Sequence, residues 1–288
     1  MLKLLALHTI GRLAGQFPRV SYAIAGFCGW IAWRLDRTSR RRVIRNLLPL
    51  TNGNAEEARR ASLTVFQNVA RYYVDICSLP RRDLSDFERD HIVLTGEEHL
   101  AVLEEASPIV IVSAHTGNPE LAVQALLARG RPFVALVEPL RPRGFARRFL
   151  ALRSSAGGAF HETTFSGLRV CLETLKAGGL LAMMGDRDLQ HNGICVELSG
   201  RRIMLPQGPW DVAKRSEAVI LPVFCSRGTK DDMAVRIEEP FRIACTEIPG
   251  DDIREAAQHW ARLFEAHLRR DPGQWAVLED FWLAHACG

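Results

Sequence analysis

The chain has 288 residues, of which 47% are hydrophobic and 24% charged, and its mean hydropathy is -0.03. That length and balance support a substantial core, as one large α/β domain or two small ones, and exclude both an intrinsically disordered chain and a protein built mainly of membrane spans. The net charge of +4 comes from 37 basic and 33 acidic residues. Only Lys3, Lys176, Lys214 and Lys230 are lysines, so the positive side is arginine, whose guanidinium favours forked contacts with phosphate or carboxylate.

From the amino end, the apolar stretch that begins at Met1 is broken by Lys3, His8 and Arg12, and no small-residue cleavage site follows, so a cleavable secretory signal is not expected. Residues 20–33 (VSYAIAGFCGWIAW) carry no charge and lie between Arg19 and Arg34, yet fall short of the roughly 20 residues that cross a bilayer. They suit a helix lying in the membrane interface, with Trp30 and Trp33 at headgroup depth. The arginines that follow, Arg37, Arg40, Arg41, Arg42 and Arg45, would attract anionic lipid. A buried helix followed by a solvated basic one is the alternative. Residues 1–48 are therefore expected to form a helical membrane-associating segment, and residues 49–288 the main domain.

A long helix is predicted from about residue 54 to 78, because Leu63, Phe66, Val69, Ala70, Tyr73 and Val74 recur at three- and four-residue steps. Beyond Pro80 the rhythm changes to short β-rich runs at 92–94, 109–112, 133–137, 180–184, 219–224 and 233–237. Helical patterns at 119–129, 143–155, 165–177 and 207–216 alternate with them. Such alternation predicts an α/β fold, with a mostly parallel central sheet flanked by helices and reactive groups beyond the carboxyl ends of strands. A last amphipathic helix is expected over 251–270, with His267 as a packing residue on its apolar stripe. The seven scattered cysteines contain no CxxC pair, so neither a disulfide framework nor a zinc site is expected, and a reducing compartment is inferred.

The segment richest in chemistry is PIVIVSAHTGNPELAVQALLARG, residues 108–130. A buried strand at 109–112 runs into the loop 113–117. Asn118 and Pro119 then stand where a helix cap and first helical residue belong. His115 is thereby placed at a strand's carboxyl end, and Glu120 in a helix's first turn, where the dipole favours its charge and it is close enough in sequence to fold back on the imidazole. A carboxylate on one ring nitrogen would leave the other free to take a proton from an attacking alcohol. In the plainer reading, His115 bonds a loop carbonyl and Glu120 caps its own helix.

Glu138 ends the next strand, Arg153 closes the helix after it, and Asp186-Arg187-Asp188 follows the strand at 180–184, so all three should lie near the sheet edge that bears His115. Two acids flanking an arginine could take a divalent metal, but no further oxygen ligands are in evidence and the turn is read as bracing, so no metal is expected. Pro206-Gln207-Gly208-Pro209 opens another helix and lacks the lysine of a nucleotide phosphate loop. There is also no GxGxxG motif and no G-x-S-x-G nucleophile elbow, so neither ATP nor NAD is implied.

The HTGNPE pattern of His115 and Glu120 resembles the H-x4-D/E signature of lysophospholipid-type acyltransferases. With RRRVIRNL (40–47), VFQNVARYYVD (65–75), GDRDLQHNGICVELSG (185–200) and LPQGPWDVAKRSEAVILPV (205–223), the chain resembles the lipid A biosynthesis lauroyl/myristoyl acyltransferases and the related phosphatidylinositol mannoside acyltransferases over most of its length. The DRDL turn is closer to the mannoside branch. The resemblance implies direct transfer of an acyl group from acyl-CoA or acyl-carrier-protein to a hydroxyl of a membrane glycolipid or lysolipid, without a cofactor or an acyl-enzyme. His115 would be the base and Glu120 its partner, while Glu138 and Arg153 resemble active-site residues of the mannoside branch and would orient the base or bind substrate; apart from the resemblance, Asp186 and Arg187 are further candidates for binding substrate, Arg187 by reaching a phosphorylated headgroup. The resemblance also implies peripheral or monotopic placement on the cytoplasmic face of a bacterial inner membrane. A thioester or lipid hydrolase and a non-catalytic lipid-binding protein are the competing readings. A nucleic-acid partner is disfavoured, because the basic cluster has no neighbouring aromatic platform for bases.

Overall fold

A computed structural model describes residues 2–127, 131–228, 232–244 and 250–287. Four helices come first: α1 (Leu2–Gln16), α2 (Pro18–Leu35), α3 (Arg37–Leu47) and α4 (Ala55–Ser78). Asn54 caps α4 by accepting from the amides of Glu56 and Glu57, which accounts for the helix start read from the sequence. Tyr22, Ala25 and Gly29 turn α2 onto α4, and the approach is so close that a Cβ on Gly29 would lie 2.6 Å from the Cα of Gln67. The short helix α5 (Leu84–His91), capped by Asp83, was not legible as a separate element.

The sheet then builds from β1 (Ile92–Thr95), β2 (Ile109–Ser113), β3 (Phe133–Val137), β4 (Ala159–Glu162) and β5 (Leu180–Met184). The helices α6 (Pro119–Leu127), α7 (Arg143–Arg153) and α8 (Phe165–Lys176) intervene. A hairpin of β6 (Ile194–Leu198) and β7 (Arg201–Leu205) precedes α9 (Gly208–Arg215), β8 (Val219–Arg227), β9 (Met233–Ile237), α10 (Asp251–Arg270) and α11 (Phe281–Ala284). The main sheet has seven strands in the order β1-β9-β8-β2-β5-β3-β4, parallel throughout except between β8 and β9. The expected α/β architecture with a mostly parallel sheet is therefore present. The predicted end of α6 at residue 129 lies outside the described residues.

Alternation along the central strands divides the core between the two faces of the sheet. Val110 and Val112 of β2 join Ile220 and Phe224 of β8 under α4 and α10, while Ile109 and Ile111 join Val219, Leu221 and Val223 on the opposite face. The first face is filled by Trp210, Trp260, Phe264, Trp275 and Phe281, all fully buried, with the rings of Trp260 and Phe264 stacked at 4.9 Å. The indole of Trp260 also donates to the carbonyl of Val112 at 3.2 Å, fixing α10 against the end of β2. His267 is buried against the ring of Phe224, so it packs as the apolar stripe implied.

One cysteine expectation fails. Cys195 and Cys287 form a disulfide, because β7 hydrogen-bonds to both β6 and the carboxyl-terminal segment: the Met204 amide donates to the His285 carbonyl and the Cys287 amide to the Arg202 carbonyl. The two are 92 residues apart in sequence, so no local spacing could announce the pair, and the cysteine pattern gives no argument for a reducing compartment. Cys77, Cys171 and Cys225 are free and buried, Cys28 is free and exposed, and Cys245 lies outside the described residues.

Candidate active site

Strand register brings the site together. β2 and β5 are adjacent and parallel with Ser113 opposite Met184, so two further residues along each strand direction lead to His115 and Asp186. Between them the Gly185 amide donates to the Ser113 carbonyl at 2.7 Å, which continues the ladder past the strands' ends. The His115 Nδ1 lies 2.7 Å from Asp186 Oδ1, and the His115 amide donates to Oδ2 at 3.2 Å. Trp275 completes the grip by donating from its indole to the same Oδ2 at 3.0 Å.

The two partners differ in exposure: the Asp186 side chain is 0% exposed, the His115 side chain 34%. Burial would push the Asp186 carboxyl up, but the imidazole, the Trp275 indole and the Arg187 charge together hold it below the ordinary carboxylate range. An ionised Asp186 accepts, so the ring proton sits on Nδ1 and the Nε2 lone pair is left for chemistry. The loop is held from the other side by the segment after α10. The Ala276 amide donates to the His115 carbonyl at 2.7 Å, and the Gly117 amide to the Gln274 carbonyl at 3.3 Å. Gly117 has φ +57°, and a Cβ there would come within 2.8 Å of the Cys225 backbone, so the loop needs glycine at that position.

Glu120 is turned away from the imidazole. Asn118 caps α6 through the Leu121 amide, as the sequence indicated, and the first turn of the helix then directs Glu120 toward α4 and α7. There its carboxylate receives the Tyr72 hydroxyl at 3.0 Å and the guanidinium of Arg153 at 2.8 and 2.9 Å. Arg153 also donates to the Tyr72 hydroxyl at 2.9 Å. Burial, then the Glu120 charge, raises the Tyr72 phenol well above its ordinary value, so it stays protonated. The carboxylate on His115 is thus Asp186, not the expected Glu120, because strand register outranks nearness in sequence.

Arg187 makes a forked pair with Glu279, at 2.9 and 2.8 Å, and Glu279 also meets His285 at 3.2 Å. The His285 contact, with Arg187, draws the Glu279 carboxyl down to about 2. Glu138 is exposed just beyond β3 and its charge reaches Arg187. Asp188 accepts from the amides of Gln190 and Gly193, which is the bracing role read for the turn. Among the described residues, no group of three or more His, Cys, Asp or Glu side chains is arranged to hold a metal ion.

Residues 5–284 match the family described as bacterial lipid A biosynthesis acyltransferase. The chain belongs to that family. It is 27% identical over 231 residues to the phosphatidylinositol mannoside acyltransferase of Mycolicibacterium smegmatis, covering 78% of this chain and 72% of that protein. It is also 27% identical over 228 residues to the phosphatidylinositol mannoside acyltransferase of Mycobacterium tuberculosis (strain CDC 1551 / Oshkosh), covering 76% and 69%. Among solved structures it is similar to the 1-acyl-sn-glycerophosphate acyltransferase PlsC from Thermotoga maritima, at 15% identity and a TM-score of 0.43, covering 87% of this chain and 97% of that one. The protein is accordingly an acyltransferase that acts in lipid metabolism.

Several residues that support the acyltransferase site were not singled out from the sequence. Asp75, with an exposure of 0%, sits behind the HTGN loop and accepts from Asn118 Nδ2 at 2.9 Å, from the Tyr22 hydroxyl and from Arg227. Gln274 bonds both the amide and the carbonyl of Arg227, and Trp275 pairs with Thr116 in a β-bridge. The only hint in the chain was the helix-ending run DPGQW, residues 271–275, which marks a turn and nothing about its target.

Proposed function

We propose that the protein docks on a membrane and transfers a fatty acyl group from an acyl thioester, acyl-CoA or acyl-carrier-protein, to a hydroxyl of a glycolipid or lysolipid. The observation that carries this reading is the partly exposed His115 imidazole fixed by a wholly buried carboxylate at the ends of two adjacent strands. In the proposed step, Nε2 takes the proton of the acceptor hydroxyl as its oxygen attacks the thioester carbonyl. Collapse of the tetrahedral adduct breaks the C–S bond, and the leaving thiolate recovers the proton from the imidazolium. The thioester supplies the driving force, and the reaction draws on no cofactor.

Asp186 fixes the tautomer and stabilises the imidazolium. Glu120 holds Arg153 in place beside the loop, and Arg187 with Glu138 lines the same rim, where a phosphorylated or sugar-bearing headgroup would be oriented. The two mannoside relatives favour a glycolipid acceptor. Membrane docking is supported by α2, whose outward face presents Phe17 at its start and then Val20, Ile24, Phe27, Ile31 and Leu35, all exposed and spaced at three to four residues. Arg37, Arg41 and Arg42 stand exposed on the next helix with no ion pair among the described residues, whereas Arg45 is bonded to Asp280. No described helix is long and apolar enough to cross a membrane. The proposal places residues 1–48 at the interface on the cytoplasmic face of a bacterial inner membrane, with residues 49–288 as the acyltransferase domain.

The decisive experiment supplies acyl-CoA and acyl-carrier-protein separately, with vesicles carrying a mannosylated phosphoinositide or a lysophospholipid, and follows products by mass spectrometry. New ester that falls about 10,000-fold or more in His115→Ala is the expected result. Free fatty acid with no ester would make the protein a hydrolase. Vesicle binding with no product from either donor would leave a lipid-binding protein.

A further inference from the structure

We infer that the groove between the carboxyl end of α2 and the amino end of α4 binds the phosphate of an anionic bilayer lipid, separately from the acyl acceptor. The inference rests on the membrane-docking reading above.

The groove has a volume of about 360 Å³ and is lined by Trp33, Glu56, Arg59, Arg60 and Leu63. That falls in the range of about 300–1,000 Å³ usual for small-ligand sites. Its floor is rigid. The Trp33 indole donates to Ser62 Oγ at 2.9 Å, and the guanidinium of Arg40 lies 4.9 Å from the centre of the ring while donating to the Trp33 carbonyl at 2.9 Å. Arg59 also lies over this ring, at 5.6 Å, so its stem is oriented while its N–H groups are open to an acceptor. Among the described residues, neither Arg59 nor Arg60 has a carboxylate partner, although Glu56 lies on the same wall one turn from Arg60. Two unpaired guanidiniums and Arg40 against one carboxylate leave the groove net positive, which selects an anion over a zwitterionic headgroup.

Position identifies the bilayer as the source of that anion. Trp30, one turn before Trp33 at the groove's edge, is exposed and stacks on Phe27 of the outward apolar stripe, so a headgroup reaching Arg59 and Arg60 would keep its acyl chains along these two rings. It is not the catalytic site: Arg60 and Tyr72 are twelve residues apart on α4, roughly 18 Å along the axis. A lipid held there would anchor the end of α2 opposite Tyr22. The helix would then be fixed at both ends, which sets the direction in which His115 meets the bilayer.

The full chain is tested by sedimentation with vesicles of pure phosphatidylcholine and of phosphatidylcholine with one quarter phosphatidylglycerol. Wild-type protein should bind the anionic vesicles more tightly. Arg59→Gln with Arg60→Gln should remove about tenfold of that preference and leave binding to phosphatidylcholine unchanged. Arg169→Gln with Lys176→Gln, both exposed on α8, removes equal charge outside the groove and the docking face and should cost about twofold or less. Equal losses in the two pairs, or none in the first, would overturn the groove while leaving the membrane reading intact; a wild-type protein that binds no vesicle defeats both. Competition by millimolar inorganic phosphate or glycerol 3-phosphate that displaces the wild-type protein as fully as it does the Arg59/Arg60 variant would show no headgroup selectivity and also overturn it. Matching thermal melts establish that the variants are folded.

Discussion

Two aspartates with no exposed surface stand on opposite sides of the HTGN loop, and they do different work because their partners differ. Asp186 meets an imidazole that reaches solvent and can change its charge, so burial strengthens an interaction that a reaction can use. Asp75 meets the Arg227 guanidinium, the Tyr22 phenol and the Asn118 amide, none of which changes state near neutral pH. The second carboxylate therefore joins α2, α4, β8 and the loop into one frame. A buried acid is a reactive group only where its partner titrates and is accessible; elsewhere it is scaffold.

The sharpest way to break the contrast is to change each acid to its amide. Asp186→Asn should lower kcat by about 1,000- to 10,000-fold with little loss of stability, since an amide donating to Nδ1 forces the proton onto Nε2 and removes the base. A loss below about tenfold would return Asp186 to a bracing role. Asp75→Asn should instead cost about 3 kcal/mol in a urea titration, because the buried Arg227 guanidinium loses the Asp75 charge it is paired with. Folded Asp75→Asn protein that keeps most of its kcat confirms the division; a loss as large as that of Asp186→Asn would erase it.

His267 gives a smaller test, of a buried imidazole with no role in chemistry. Burial lowers its pKa to about 4, against an ordinary value of about 6.5. The unfolded chain takes up this proton first as pH falls, so the stability from neutral His267 is complete above about pH 6.5 and is lost as pH falls toward 4. Between pH 7 and pH 5 the wild type should lose about 2 kcal/mol more than His267→Phe, read from urea midpoints. Glu120→Gln should have the smallest effect, about a tenfold loss of kcat/KM, because Arg153 keeps the Tyr72 hydroxyl and an amide oxygen as acceptors. A loss comparable to that of Asp186→Asn would put Glu120 back in the proton relay.

The elements most readily read from the sequence were those with a local cause. Asn54 and Asn118 announce their helices by capping them, and the apolar run at 109–112 is a wholly buried strand because both faces of the sheet are covered there, while the run at 180–184 is buried at Leu180 and Leu181 and partly buried beyond them. The β6–β7 hairpin was missed although its turn lies at Ser199-Gly200, both with positive φ; the alternation in ICVEL and RRIML was the unused signal. β4 is a four-residue edge strand, too short for a periodicity to show.

By itself the sequence determined the family, the α/β alternation and the placing of His115 at a strand's end, since each follows from residues close together in the chain. Which carboxylate meets that histidine was decided by the tertiary structure, through the pairing of β2 with β5 across 71 residues. The same is true of the Trp275 brace, the Asp75 frame and the Cys195–Cys287 bond. Strand order and register arise from packing the whole core at once, so no window of sequence contains them.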